Sequence, residues 1–131
     1  MSRRLLARLT NQGYRRNKHV KWGCKGENAM IIVMGHAKLG AAEIDRLAAE
    51  MEAQITATRA EDGCLHYGFS RDVLAPDTLV ISERWRDNEA IAAHFASPHM
   101  AAFNAVLAGA NVLEVSIKAY ENGEERTLMG R

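Results

Sequence analysis

The chain has 131 residues, 47% of them hydrophobic, which suffices for one domain with a buried core and falls short of two ordinary ones. Its longest apolar runs, such as MIIVM at 30–34, are far shorter than the ~20 residues that cross a bilayer, so no membrane-spanning helix is expected. The net charge of +1 is unevenly spread: residues 1–29 hold eight basic groups against Glu27 alone, a net +7, and the remainder carries nine basic against fifteen acidic groups, a net −6.

That basic leader mixes Gly13, Gly23 and Gly26 with scattered charges and has no helical or strand periodicity. A basic arm on an acidic domain is one design for gripping nucleic acid. The absence of any pattern favours a disordered leader instead, or a stretch upstream of a true start at Met30, and leaves neither nucleic acid nor a membrane as an expected partner. Cys24 and Cys64 show no CxxC spacing, and no apolar segment near the start resembles a secretion signal. A reduced, cytoplasmic setting follows as the expectation.

Organised sequence begins with MIIVMGHA at 30–37, a continuous apolar run suited to a central strand buried on both faces. From Ala41 to Arg59, Ile44, Leu47, Met51 and Ile55 recur at helical spacing, opposite Glu43, Asp45, Arg46, Glu50, Glu52 and Gln54, which predicts one amphipathic helix. Gly63 supplies a left-handed stop beyond it. CLHYGFSR at 64–71 alternates, with Leu65, Tyr67 and Phe69 on one face and His66 on the other, and LVISERW at 79–85 returns after Pro76-Asp77 as the second arm of a hairpin. Asp87 caps a short helix over 88–95; Ser97 and Pro98 restart a second, with Met100, Phe103 and Leu107 as its apolar stripe and Gly109 at its end. NVLEVSIKAY at 111–120 alternates as a fourth strand, and 121–131 reads as a polar tail.

The order strand, helix, strand, strand, split helix, strand predicts an α+β, ferredoxin-like βαββαβ domain over 30–120, a four-stranded antiparallel sheet with helices on one face. Its uncovered face would expose more apolar surface than a monomer usually tolerates, so a homodimer packed sheet against sheet is expected.

The octapeptide AHFASPHM at 93–100 places two histidines at a helical corner. Five residues on one helix would rotate His99 about 140° from His94, which argues against a metal site on a single helix. Pro98 forces the turn, so His94 lies in the last turn of one helix and His99 in the first turn of the next. The helix dipole would favour protonated His94 and disfavour protonated His99. His94 then serves either as a structural cap or as a pocket residue, and His99 reads as a surface group.

EDGCLHYGFSRD, LVISERWRDNEAIAAHFASPHMAAF and NVLEVSIKAY together resemble the antibiotic biosynthesis monooxygenase family, within it the quinol monooxygenase type. The resemblance spans about 30–120 and rests mainly on Gly63-Cys64, Tyr67, Glu83, Trp85 and the AHFASPHM corner. It implies a dimeric α/β barrel and, in enzymatic members, a pocket between sheet and helices. Members include oxygenases of quinols and hydroxylated aromatics that use O2 without flavin, haem or metal, haem-degrading enzymes, isomerases of small metabolites, and proteins with no known reaction. The haem-degrading pattern is disfavoured, because Trp85 matches its tryptophan but His36 stands at its asparagine and Asn104 at its axial histidine.

No phosphate loop, nucleophile elbow, zinc spacing or paired carboxylate is present. Oxygenation without a cofactor needs a base to form a phenolate, an apolar cage, and donors for a peroxide anion. His36, sharing a strand face with Ile32 and Met34, is the first candidate base, against the plainer reading of a satisfied core histidine. Trp85 would stack on an aromatic substrate, or simply fill the core. Asn104 would donate to substrate oxygen or peroxide, or lie exposed. Tyr67, His94 and Glu83 are candidate substrate-binding residues, and a buried Glu83 would need a partner such as a histidine or Arg84. The expected function is therefore a cofactor-independent monooxygenase of a quinol or hydroxylated aromatic, with a non-catalytic small-molecule-binding module or an isomerase as alternatives.

Overall fold

The computed structural model describes residues 30–122 and 125–129, so the expectation for the basic leader falls outside the described residues. In chain order the elements are β1 (Met30–Lys38), α1 (Ala41–Arg46), α2 (Ala48–Arg59), β2 (Cys64–Arg71), β3 (Thr78–Trp85), α3 (Asn88–Phe95), α4 (Pro98–Ala108) and β4 (Glu114–Asn122). The strands form one antiparallel sheet in the order β2-β3-β1-β4, the ferredoxin-like α+β arrangement. No helix among the described residues is long and apolar enough to cross a membrane.

The β1 run is buried on one face only. Ile31 and Val33 enter the core, whereas Met34 is 57% exposed and Ile32 half-buried. Within the single chain the core is built on the Ile31 side alone, so the continuous apolar run follows an ordinary alternation in burial.

Two further departures are local. The expected single helix over 41–59 is interrupted at Leu47, whose φ of −95° and ψ of 5° separate α1 from α2. Leu47 still donates to Glu43 O at 3.1 Å and accepts from Met51 N at 2.9 Å, so the apolar stripe of Ile44, Leu47 and Met51 continues into the core. Gln54, expected on the polar side, extends that stripe and is 2% exposed, with Thr58 buried one turn on. Spacings of four, three and four from Leu47 through Met51 and Gln54 to Thr58 put all four on one helix face whatever their polarity. In β2 the register slips between Cys64 and His66, so Leu65 bulges out and half its surface is exposed instead of joining Tyr67 and Phe69.

The core has two halves. One gathers Leu39, Ile44, Leu47, Met51, Leu79, Phe103, Ala110 and Val112; the other holds Ile31, Val33, Tyr67, Trp85, Ala90 and Ile91. Phe69 packs against both, its ring 5.3 Å from Tyr67 and 5.8 Å from Phe103. Asp87 caps α3 by accepting from Ala90 N at 2.9 Å, and Ser97 caps α4 by accepting from Met100 N at 3.3 Å, as their residue types predict. Gly63, with φ of +82°, is left-handed as expected, in the turn that follows α2.

At the β1–β4 seam, a Cβ on Gly35 would lie 2.5 Å from Ser116 O and 2.9 Å from Ile117 Cα, both backbone atoms. Gly35→Ala should therefore cost about 1–3 kcal/mol, the usual range for overpacking. Thermal denaturation measures it; an unchanged melting temperature would mean that the two strands separate at no cost.

Candidate functional site: an aromatic, imidazole and carboxylate cluster

Trp85 ends β3 with no exposed surface. Two residues earlier on the same sheet face, Glu83 accepts a hydrogen bond from Trp85 Nε1 at 2.8 Å. Register places Tyr67 of β2 and Val33 of β1 on either side of Glu83, and the residue is half-buried between them. Its partner is thus the neighbouring indole, where the sequence suggested a histidine or Arg84. Arg84 instead points its guanidinium to Glu125 at 2.9 Å.

Burial pushes the Glu83 carboxyl up to about 7, with the indole N–H opposing the rise and the nearby Glu61 charge adding to it. A folded-state value above the ordinary 4.5 means that the native state holds this proton more tightly. That stabilisation is complete below about 4.5 and is lost as pH rises through about 7, an effect of about 3 kcal/mol. His94 works in the opposite sense, because its lowered value takes stability away as pH falls through its ordinary 6.5. Glu83→Gln separates the two: the stability lost by the native chain between about pH 5 and pH 8, relative to this variant, should be about 3 kcal/mol in urea denaturation. Parallel pH profiles for the two proteins would refute the assignment.

His94 stacks behind Trp85. Its ring centroid lies 4.7 Å from the indole and 5.4 Å from Tyr67, and the residue is 2% exposed. Nδ1 is 2.9 Å from Glu61 Oε1, and the same oxygen receives His99 Nε2 in a short contact. The helix-dipole expectation for His94 is reversed: desolvation lowers its proton affinity and outweighs the opposing hydrogen bond and charge of Glu61. A carboxylate that accepts at Nδ1 fixes the tautomer with its proton there and leaves Nε2 with the lone pair.

Sequence reasoning missed Glu61. It sits in the turn after α2, and nothing in local spacing ties it to histidines more than thirty positions away. Pairing of β2 with β3 carries this turn to the start of α3, where Arg86 N donates to Gly63 O at 2.9 Å. His99, expected at the surface, is half-buried against Glu61.

The remaining candidates scatter. Tyr67 is buried beside the cluster and its hydroxyl accepts from Gln54 Nε2 at 3.4 Å; burial raises the phenol's proton affinity. Gln54 Nε2 also lies 3.2 Å from Met100 Sδ, while Gln54 Oε1 and Thr58 Oγ1 are buried without a hydrogen-bond partner. His36 does not join the cluster: it projects from the other face of the sheet, its side chain 46% exposed, 3.3 Å from Glu114. Asn104 is half-buried on α4, outside the ring contacts and hydrogen bonds that define the cluster. His66 occupies the face opposite Tyr67, as alternation requires, with Nε2 2.9 Å from Ser82 Oγ.

A four-stranded ferredoxin-like sheet with an imidazole and carboxylate lodged against a buried tryptophan defines a small α+β domain with an acid–base cluster at one end. The model of the family "antibiotic biosynthesis monooxygenase" matches residues 30–106, and the chain belongs to that family. It is similar to "Probable quinol monooxygenase YgiN" of Escherichia coli K12, 34% identical over 71 residues, which cover 48% of this chain and 67% of that protein. Protein sll1783 of Synechocystis, named as uncharacterized, is 28% identical over 104 residues, or 79% of this chain and 71% of that one. Among solved structures, a Deinococcus radiodurans protein bearing the family's name superposes with a TM-score of 0.70 at 34% identity, covering 76% of this chain and 99% of its own.

Proposed function

We propose that the protein is a homodimeric monooxygenase of quinols or other hydroxylated aromatics that uses O2 directly. The observation that carries this reading is geometric: one buried indole is flanked by His94, whose Nδ1 is held by Glu61, and by Glu83, which accepts its N–H, and burial weakens the imidazole's hold on a proton while strengthening the carboxyl's. Shifts of opposite sign keep the imidazole neutral and able to accept a proton, and leave the carboxyl able to hold one near neutral pH. His94 Nε2 would take a phenolic proton, with Glu61 holding the imidazolium that results. The electron-rich phenolate passes an electron to O2, the radical pair combines into a carbon–oxygen bond, and Glu83 returns a proton as the peroxide loses water. For a simple hydroquinone the balance is quinol plus O2 to hydroxyquinone plus water.

The relatives' names support the substrate class. Exposed Met34 and half-buried Ile32 of β1, with exposed Tyr120 across the seam, support a second copy covering the open sheet face. His36 would lie in that interface and not in the reacting centre.

A specific observation favours a second reading, a non-catalytic small-molecule-binding module. Tyr67, Phe69, Trp85, His94 and Phe103 fill the space between helices and sheet, so a substrate has to displace side chains to enter. Oxygen uptake by metal-free protein with a panel of hydroquinones separates the readings. Uptake above buffer is expected of a monooxygenase; saturable binding with no uptake identifies the module, and turnover without oxygen an isomerase.

A further inference from the structure

Three metal-ligating groups, two imidazoles and a carboxylate, face one another at the corner between α3 and α4. Their candidate ligand atoms, His94 Nδ1, His99 Nε2 and a Glu61 carboxylate oxygen, all lie within 4.8 Å of one another. Each comes from a different element, which is why the five-residue separation in AHFASPHM does not forbid convergence. That argument applies to one continuous helix, and here Pro98 opens a second. The corner is pinned: Ser97 Oγ donates to His94 O at 2.6 Å and accepts from Met100 N at 3.3 Å, while Trp85 and Tyr67 flank the His94 ring.

Metal bonds of about 2.0–2.2 Å place tetrahedral ligand atoms roughly 3.3–3.6 Å apart, so closure around an ion needs shifts on the order of 1 Å. Arg86, which borders the same groove, does not compete for Glu61, because it forks onto Asp62 at 3.1 Å on both oxygens and onto Asp87 at 3.0 Å. A groove lined by Asp62, Arg86, Glu89 and Ser97 reaches the Glu61 carboxylate from solvent, a route for an ion and for water. With Arg86 paired to Asp62 and Asp87, Glu89 and Glu61 leave that groove favourable to a dication.

We propose that Glu61, His94 and His99 form a binding site for one transition-metal dication, with Zn2+ the best match to two imidazoles, one carboxylate and an open fourth position. Metal on Nδ1 moves the ring proton of His94 to Nε2. Under the oxygenase reading above, on which this consequence alone rests, the occupied site is therefore inhibitory.

Calorimetric titration of the chelator-stripped full chain with Zn2+ tests the site, and Co2+ substitution reports its geometry by visible absorption. One ion per chain is expected, with affinity falling in both His99→Ala and Glu61→Gln by more than the about 10- to 100-fold that loss of an outer-shell partner costs. His36→Ala should leave the affinity unchanged. Absence of binding, or equal affinity in the native chain and the two ligand variants, overturns the proposal. Circular dichroism confirms that each variant folds; if Glu61→Gln does not, His99→Ala, at a half-buried position, decides alone. Because binding is read without turnover, failure here leaves the oxygenase reading standing, and absence of oxygen uptake leaves the metal site standing.

Discussion

Replacing Trp85 with alanine is expected to destabilise the protein by about 3–5 kcal/mol, the range for removing a fully buried large aromatic. Three losses combine. The indole has no exposed surface, so its whole volume becomes a cavity bounded by Tyr67, His94 and the β1 side chains Ile31 and Val33. The strand and helix backbones that frame it cannot collapse far into the gap. Glu83 also loses the N–H at 2.8 Å that satisfies its buried carboxyl. Domains of this size are stable by only about 5–15 kcal/mol, so the variant would stand near the edge of folding at ordinary temperature. Trp85→Phe divides the effect, since it keeps one buried aromatic ring and removes the donor with the rest of the indole. Urea denaturation measures both, and a loss under about 1 kcal/mol in the alanine variant would show that the indole is not a packed core element.

His94→Ala is expected to lower oxygen uptake at saturating quinol by about 10²- to 10⁴-fold, the contribution of a positioned general base. The loss should fall on kcat more than on KM, because in the proposed reaction the imidazole would act on the proton and not on the ring that binds. Glu61→Gln keeps the shape of the partner but cannot stabilise the imidazolium in the same way, so it should reduce kcat by a smaller factor. Its pH–rate profile should also shift, an outcome that a purely structural glutamate would not give. A His94→Ala protein that folds and retains full uptake would remove His94 from the mechanism.

The architecture was legible because each element carries its own pattern. The alternation of CLHYGFSR, the Asp87 and Ser97 caps and the Pro98 restart are all local, and β2, α3 and the start of α4 appear where those residues put them. What escaped was cooperative. Polarity counted against Gln54, although stripe geometry buries it, and the bulge at Leu65 depends on how β2 meets β3. The site was half legible. Trp85, Tyr67, Glu83 and His94 do meet, and their aromatic character and strand faces were visible in the sequence. Glu61 and His99 were not, because a three-residue meeting point formed by a turn and two helix ends leaves no fixed spacing. His36 was drawn in by its strand, and the parity of that strand sends it to the other side of the sheet.

Strand β1 sits between β3 and β4, so the first strand is paired along one edge with the last, Met30 lying opposite Asn122. Closing that seam brings together segments separated by almost the whole domain, an entropic cost that slows formation of the sheet. During synthesis the hairpin of β2 and β3 can form and recruit β1 well before β4 leaves the ribosome. Until it does, the Gly35 edge of β1 stays open, and the nascent chain presents an apolar strand with unpaired backbone groups. The interval between hairpin and final strand is thus when this protein is most exposed to misassembly, and the stage at which a chaperone would engage it.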